Sequence, residues 1–234
     1  MKIAVVSGSP KSGKSFIATN LASVSTYAYF DCDFLNSNAT SYFEASNVQS
    51  LQHDESSSVI NANNFTSQNN TDDQAVCIGN SYNYVCDKVK VCYGKLETAN
   101  CESLLFDKII AENQFTNVYF DLPNKLTAFT LHVIKNVDYC LIVEDASSIN
   151  FDLFKGAVRA AKLLSKPYGI VFNKCTLIPP QFADYCYQQN ANVLATFPNY
   201  LKEEKLISDC KILSKIKLTY KQNFLSLHQQ IKKK

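Results

Sequence analysis

The chain has 234 residues, an apolar fraction of 46% and a net charge of +2, so it is long enough to bury one substantial core. This charge gives no electrostatic case for a nucleic-acid partner, and a single arginine, Arg159, leaves few guanidinium groups for such recognition. No run approaches a transmembrane length and the N-terminus lacks the layout of a signal peptide, which predicts a cytoplasmic protein.

The first predicted strand, Ile3 to Val6, leads into a glycine-rich loop and a helix that runs from Phe16 to Ala22. A strand, G-x-x-x-x-G-K-S and a helix together form the context of a P-loop, whose backbone N–H groups favour an anion. The pattern predicts that Lys14 reaches the β- and γ-phosphates of a nucleotide as a catalytic residue, and that the Ser15 hydroxyl binds Mg²⁺. We expect the nucleotide to contact the whole loop: Gly8, Ser9, Pro10, Lys11, Ser12, Gly13, Lys14, Ser15 and Phe16.

The second predicted strand, Tyr27 to Phe30, ends in two acidic residues, Asp31 and Asp33. Carboxylates two residues apart lie on the same face if the strand continues, and ligands bind at the carboxyl ends of parallel strands. A solvated turn is the alternative interpretation. Because a P-loop precedes this pair, we interpret it as part of the site.

Residues 39–74 are dominated by Ser, Asn, Thr and Gln, which predicts a polar, mobile excursion that buries little surface. Beyond it, residues 89–93 alternate like a short strand, with Gly94 as a turn signal. The nine cysteines include no C-x-x-C pair, so we expect most to be buried thiols, Cys140 and Cys175 among them.

The second half of the chain alternates helices and strands, which predicts an α/β fold with a doubly wound, mostly parallel sheet. The predicted helices cover residues 102–112, 126–136, 151–165 and 179–190, and the predicted strands cover 117–120, 139–143, 168–172 and 193–197. These strands end in Asp121, in Asn173 and Lys174, and before Pro198.

The last segment places apolar residues at steps of three and four, which predicts an amphipathic helix within residues 212–234. These residues are Leu213, Ile216, Tyr220, Phe224, Leu227 and Ile231. We favour a helix that packs on the sheet, and a basic helix on a membrane surface is the alternative.

In this order, the motifs resemble those of MinD/ParA-type P-loop ATPases, and more narrowly the MinD-superfamily ATPases that carry an inserted ferredoxin domain. Residues 1–38 and 92–210 align with that pattern in order. The stretch from Asp31 to Asn38 is similar to the first switch, and residues 92–96 resemble the stretch that follows the insert. Asp121-Leu122-Pro123 occupies the position where the family has D-x-P-P-G, and residues 171–174 occupy the position where it has V-x-N-[RK].

The resemblance implies a role for each matching residue. Asp121 would hold Mg²⁺ through water, Asp31 would support the metal shell, and Asp33 would orient or deprotonate the attacking water. Asn173 would bind adenine, with the loop after Pro198 closing over the base. The family also implies a slow ATP hydrolase that forms a homodimer on ATP binding and acts as a switch on a protein partner.

Three departures from the family stand out. Ser9 occupies the position of a second lysine that reaches across the dimer, and Lys11 stands where the family has glycine. The switch after Asp121 lacks its glycine. In the insert, here residues 39–91, Cys77 begins an incomplete ligand run with Asn83 and Asp87 at later ligand positions, so we expect no iron–sulfur cluster.

Two other functions remain open from the sequence. A nucleotide-binding adaptor without turnover would explain the departures at Ser9 and in the switch. A small-molecule phosphotransferase would also use a P-loop, but its lid would need more arginine than the chain contains.

Overall fold

The computed structural model describes residues 1–35, 41–44, 60–61, 79–86, 88–96, 101–146, 151–199, 204–208 and 211–233. In this part of the chain, the strands are β1 Lys2–Val6, β2 Ala28–Asp31, β3 Ile60–Asn61, β4 Gly79–Cys86, β5 Val89–Leu96, β6 Val118–Asp121, β7 Tyr139–Asp145, β8 Tyr168–Asn173 and β9 Val193–Thr196. They form one sheet in the order β3-β4-β5-β2-β6-β1-β7-β8-β9.

Helices flank this sheet and connect most of its parallel strands. The described helices are α1 Lys14–Val24, α2 Ser41–Glu44, α3 Glu102–Asn113, α4 Ala128–Lys135, α5 Phe151–Leu163, α6 Pro180–Gln188, α7 Glu204–Ser208, α8 Leu213–Ile216 and α9 Leu218–Lys232. The strands from β5 to β9 in the sheet order pair in parallel, whereas β3 and β4 pair antiparallel. The predicted α/β fold with a mostly parallel sheet is confirmed.

The core consists of two apolar layers, one on each face of the sheet. Strands covered on both faces read as continuous apolar runs, as in Ile3–Val6, because successive side chains point to opposite faces. One layer includes residues of α1, α8 and α9, and the other includes residues of α3, α4, α5 and α6. Since β1 lies between β6 and β7, the loop after β1 emerges at the centre of the carboxyl edge.

The end of the insert belongs to the main sheet. Strand β4 pairs antiparallel with β5 over eight positions, from Gly79 opposite Leu96 to Cys86 opposite Val89. The sequence prediction missed β4, and its assignment of Gly94 to a turn is wrong because Gly94 lies inside β5. Most of the polar stretch 39–74 lies outside the described residues.

The C-terminal segment forms two helices rather than one, because the backbone is extended at Lys217. The apolar side chains Phe224, Leu227 and Ile231 of α9 are buried in the layer that also contains α1, as the docked interpretation predicts. Ile216, by contrast, is half exposed. None of the described helices is long and apolar enough to cross a membrane.

Candidate nucleotide-binding site

The loop between β1 and α1 has the backbone of a tight anion-binding turn. Gly13 precedes α1 with φ at 83°, and Lys11 also has a positive φ, 57°. A Cβ on Gly13 would overlap the Asn173 amide, and a Cβ on Gly8 would overlap the backbone at Leu153, so both positions need glycine. Helix α1 begins at Lys14, so its N-terminus, the end of a helix that favours an anion, lies at the carboxyl edge of the sheet.

Lys14 contacts Asp121, the residue that the resemblance predicts to hold Mg²⁺ through water. Its Nζ donates to Asp121 Oδ1 at 2.7 Å, and both side chains are buried. The second oxygen, Oδ2, accepts a hydrogen bond from the Tyr29 hydroxyl at 2.9 Å. Burial and the Asp121 charge raise the pKa of Tyr29, so this hydroxyl keeps its proton.

Asp31 lies beside Asp121 because the two residues are register partners on neighbouring parallel strands. Burial, followed by the charge of Asp121, raises the pKa of Asp31 to about 7, although Lys14 and the Asp33 backbone oppose that shift. Asp33 is half-buried, and its backbone N–H donates to Asp31 Oδ1 at 3.0 Å. The three predicted carboxylates thus lie at adjacent strand ends.

The P-loop residues divide by exposure. Pro10 and Lys11 are exposed at the tip, whereas Ser9 and Ser12 are buried and Ser15 is half-buried. The Phe16 side chain points into the core and packs on Phe224, with ring centroids 5.9 Å apart. Phe16 can therefore contribute to the site only through its backbone and not through its side chain.

Glu144, at the end of β7, is a buried acid near the P-loop that the sequence analysis did not identify. It has no exposed surface, and burial raises its pKa to about 7, against the opposing effects of the Ser9 hydroxyl and the Asp145 and Gly8 backbone. Its position at the end of an apolar strand was a signal available in the sequence. The same applies to Tyr29, which precedes Asp31 by two residues and so lies on its face.

Asn173, at the end of β8, contacts the P-loop. Its Nδ2 donates to the Ser12 carbonyl at 2.9 Å, and its buried Oδ1 accepts no hydrogen bond from the described residues. Next to it, Lys174 Nζ donates to the Lys11 carbonyl at 2.6 Å and to Asp145 Oδ2 at 3.1 Å. An amino group is the kind of donor that would satisfy this buried oxygen, and the adenine contact stays a prediction.

A pocket of about 400 Å³ lies beside these residues and has mixed polar and apolar walls. Its walls come from the ends of β7, β8 and β9: Ala146, Lys174, Cys175, Thr176, Leu177, Pro198 and Asn199. Cys140 is buried as predicted, whereas Cys175 packs against the core but is only half-buried. Pro198 and Asn199 border this pocket, where the resemblance predicts that a loop closes over the base.

The sequence predicts no iron–sulfur cluster at the four cysteines between residues 75 and 101. Cys86 and Cys92 are buried thiols, Cys101 is disulfide-bonded, and Cys77 lies outside the described residues. In the described part of the chain, no group of three or more His, Cys, Asp and Glu residues could hold a metal ion. A P-loop metal site is not such a group. Its Mg²⁺ takes most of its ligands from phosphates and water, and the protein supplies one hydroxyl and carboxylates that act through water.

No protein-family model and no curated protein matches the sequence. Solved structures do match the fold. MinD complexed with Mg-ADP from Pyrococcus horikoshii OT3 has 14% identity and a TM-score of 0.68, over 98% of this chain and 95% of that one. A putative plasmid partition protein from Borrelia burgdorferi B31 bound to AMPPNP has 12% identity and a TM-score of 0.65, over 97% and 96%.

A third match is the MinC:MinD cell division protein complex of Aquifex aeolicus, with 10% identity and a TM-score of 0.67, over 100% of this chain and 96% of that one. Identities this low describe a shared fold. The chain therefore has the fold of the MinD/ParA-type P-loop ATPases.

Proposed function

We propose that the chain binds ATP with Mg²⁺ at the carboxyl edge of its sheet, hydrolyses it slowly, and acts as a nucleotide switch on a partner protein. The contact between Lys14 and Asp121 carries the proposal, because it joins the P-loop lysine to a buried carboxylate on the neighbouring strand. Two matched proteins of this fold hold Mg-ADP or AMPPNP, which supports a nucleotide as ligand.

Lys14 and the loop N–H groups would bind the phosphates, so that Lys14 exchanges Asp121 Oδ1 for phosphate oxygens. Ser15, Asp31 and Asp121 would hold Mg²⁺, and their oxygens are the ligand type that this ion prefers. Bound there, Mg²⁺ supplies neutralisation of charge on the β- and γ-phosphates. When Lys14 leaves Asp121, the charge of the bound Mg²⁺ would replace the charge of the lysine beside this carboxylate.

Asp33 would accept the proton of the attacking water. It follows β2 at the edge that carries Asp31 and Asp121, and its backbone is tied to Asp31. Phosphoryl transfer needs one positioned acceptor besides the clamped phosphates, and a half-buried carboxylate suits that role. Asn173 Oδ1 would accept a hydrogen bond from the adenine amino group, which favours ATP over GTP.

The test is nucleotide affinity and hydrolysis in the Lys14→Met variant. We expect wild-type chain to bind ATP with Mg²⁺, and the variant to lose about 100-fold or more in affinity, because charge-assisted phosphate contacts are lost. Since the change leaves Asp121 buried without its cation, melting temperatures and the double variant with Asp121→Asn serve as folding controls. Unchanged hydrolysis in Lys14→Met would exclude this site as the source of turnover.

A non-hydrolysing adaptor is the second candidate, and buried Ser9 favours it because the family places a phosphate-reaching lysine there. The two candidates differ in turnover alone. We expect wild-type chain to hydrolyse ATP measurably and Asp33→Asn to reduce the rate by about 100-fold, a typical general-base contribution. If wild-type chain binds ATP but hydrolyses it no faster than the Asp33→Asn variant does, the chain is the non-hydrolysing adaptor.

A further inference from the structure

A buried tyrosine is built into the metal side of the site. Tyr29 has no exposed surface, and its hydroxyl donates to Asp121 Oδ2 at 2.9 Å. Its ring packs on Phe43 of α2, with centroids 5.1 Å apart. A tyrosine buried this deeply needs a partner for its hydroxyl, and here that partner is the carboxylate proposed to hold Mg²⁺.

The strand register explains why the hydroxyl reaches this carboxylate. Strands β2 and β6 pair in parallel, with Tyr29 opposite Tyr119 and Asp31 opposite Asp121. Tyr29 therefore lies one side-chain step below Asp31 on the same face, and its ring extends towards the strand ends. In the described part of the chain, each Asp121 side-chain oxygen accepts one hydrogen bond, Oδ1 from Lys14 and Oδ2 from Tyr29.

The two donors differ in what happens when a nucleotide binds. Lys14 would move to the phosphates, whereas Tyr29 is held in the core by its own packing. The terminal torsion of an aspartate has a broad energy minimum, so a carboxylate without a fixed donor can rotate. A donor that remains on Oδ2 would hold the carboxylate in one orientation, with Oδ1 available as a ligand for Mg²⁺.

We propose that Tyr29 is a positioning residue for magnesium binding, whose hydroxyl fixes the orientation of Asp121 after Lys14 has moved to the phosphates. This inference rests on the proposed function and adds to it a residue that acts through Asp121. It predicts that removal of the hydroxyl reduces the gain in nucleotide affinity that Mg²⁺ provides. The affinity for nucleotide without metal should change little.

The test compares Tyr29→Phe with Tyr119→Phe by calorimetric titration of AMPPNP, with Mg²⁺ and with EDTA. Tyr119 is a matched control because it is equally buried on the adjacent strand, but its hydroxyl contacts His228 at 2.6 Å. We expect Tyr29→Phe to keep its metal-free affinity within about twofold and to lose about tenfold of the Mg²⁺-dependent gain, as for a hydrogen bond to a charged group. Tyr119→Phe keeps the gain and lowers only the melting temperature.

A double-mutant cycle separates positioning from packing. In an Asp121→Asn background, Tyr29→Phe should cause no further loss of the Mg²⁺-dependent gain, because the carboxylate it positions is gone. A full Mg²⁺-dependent gain in Tyr29→Phe overturns the inference and leaves the proposed function intact. An equal loss with and without Mg²⁺ also overturns it, since the hydroxyl would then support the P-loop. Wild-type chain that binds no AMPPNP, or gains nothing from Mg²⁺, overturns the proposed function itself.

Discussion

At the level of single residues, Lys11 occupies a P-loop position where the MinD/ParA-type sequence pattern has glycine. Its backbone is in the left-handed conformation that favours glycine, with φ at 57°. A left-handed conformation costs a residue with a side chain about 1–2 kcal/mol, partly offset by the entropy glycine loses on folding. We therefore expect Lys11→Gly to raise the free energy of unfolding by about 0.5–1 kcal/mol in urea titrations. Lys11→Ala is the control, since it removes the charge and keeps the strain; equal stabilities of the two variants would contradict the argument.

Lys174 lines the pocket at the ends of β7, β8 and β9, and it contacts the Lys11 carbonyl at the P-loop tip and the carboxylate of Asp145. Because Lys174 is partly exposed, each contact is weakened by water, and we expect Lys174→Met to reduce nucleotide affinity by about three- to tenfold. Lys166→Met is a matched control, since Lys166 Nζ also donates to a carbonyl, that of Val137, before β7 begins. Titration calorimetry measures both variants, and equal losses would show that Lys174 has no special effect on the loop.

Much of the site could be predicted at the residue scale because its signals are local. The P-loop spacing and the residues that end strands, Asp31, Asp121 and Asn173, indicate one edge without knowledge of the strand order. Tyr29 was missed because a buried aromatic residue looks like core until its hydroxyl partner is known. Glu144 was missed because its neighbours, the loop at Gly8 and Ser9, lie far away in the chain.

At the level of elements, Gly94 and Gly156 give opposite predictions. A Cβ on Gly94 in β5 would lie 2.9 Å from Phe34 and 3.0 Å from Leu105, whereas a Cβ on Gly156 in α5 would make an ordinary 3.5 Å contact with Leu126. We expect Gly94→Ala to destabilise by about 1–3 kcal/mol through overpacking, and Gly156→Ala to stabilise by about 0.5–1 kcal/mol through helix propensity. Urea denaturation measures both, and a stabilising Gly94→Ala would mean that the side chains of Phe34 and Leu105 move away from the added methyl group without cost.

The docking of α9 should depend on pH through His228. Burial, and secondarily Lys232, lowers the pKa of His228, whose ring contacts the Tyr119 hydroxyl and the Tyr27 ring. A lowered folded-state pKa means that the unfolded chain binds the proton more readily, so stability is fully present above the unfolded value of 6.5 and is lost as pH falls below it.

We therefore expect the melting temperature of wild-type chain to fall more between pH 7 and pH 5 than that of His228→Gln, which carries no titrating ring. His132→Gln is the control, because His132 is more exposed and contacts Asp107 on α3. A wild-type profile parallel to that of His228→Gln would show that the packing of α9 does not depend on a neutral ring.

The elements that the sequence could not predict have physical reasons. Strand β4 is polar along most of its length and is specified by its antiparallel pairing with β5, the next strand along the chain, which no apolar periodicity in β4 reveals. The break at Lys217 lies within a continuous apolar stripe, and such a stripe does not reveal where the backbone becomes extended. The parallel strands were predicted because burial on both faces makes them continuous apolar runs.

At the level of the whole molecule, the proposed site combines residues from the P-loop, β2, β6 and β8, so nucleotide binding should depend on the fold as a unit. A ligand that binds only the folded chain stabilises it by about 2.7 kcal/mol at 100 times its dissociation constant. We expect AMPPNP with Mg²⁺ at this ratio to raise the melting temperature of wild-type chain by several degrees, and not that of Lys14→Met. A shift of equal size in both would indicate binding elsewhere.

Self-association is the remaining question at this scale. Ser9, at the position where the related pattern has a lysine that reaches a second copy, is fully buried, whereas Lys11 is exposed at the tip of the same loop. If two copies face each other across their nucleotides, Lys11 is the P-loop cation placed to cross the interface. We expect AMPPNP with Mg²⁺ to double the mass of the 26.2 kDa chain in sedimentation velocity, and ADP to leave it unchanged.

Lys11→Ala should then reduce dimerisation by about tenfold, as expected for the loss of a charge-assisted phosphate contact, while its affinity for AMPPNP at low chain concentration stays near that of wild type. Lys11→Arg is the matched variant, because it keeps the charge and should keep the dimer. If wild-type chain stays at monomer mass with AMPPNP, nucleotide-dependent self-association is wrong. If Lys11→Ala dimerises as wild type does, the interface forms without a P-loop cation from Lys11, and the missing lysine at Ser9 has no substitute there.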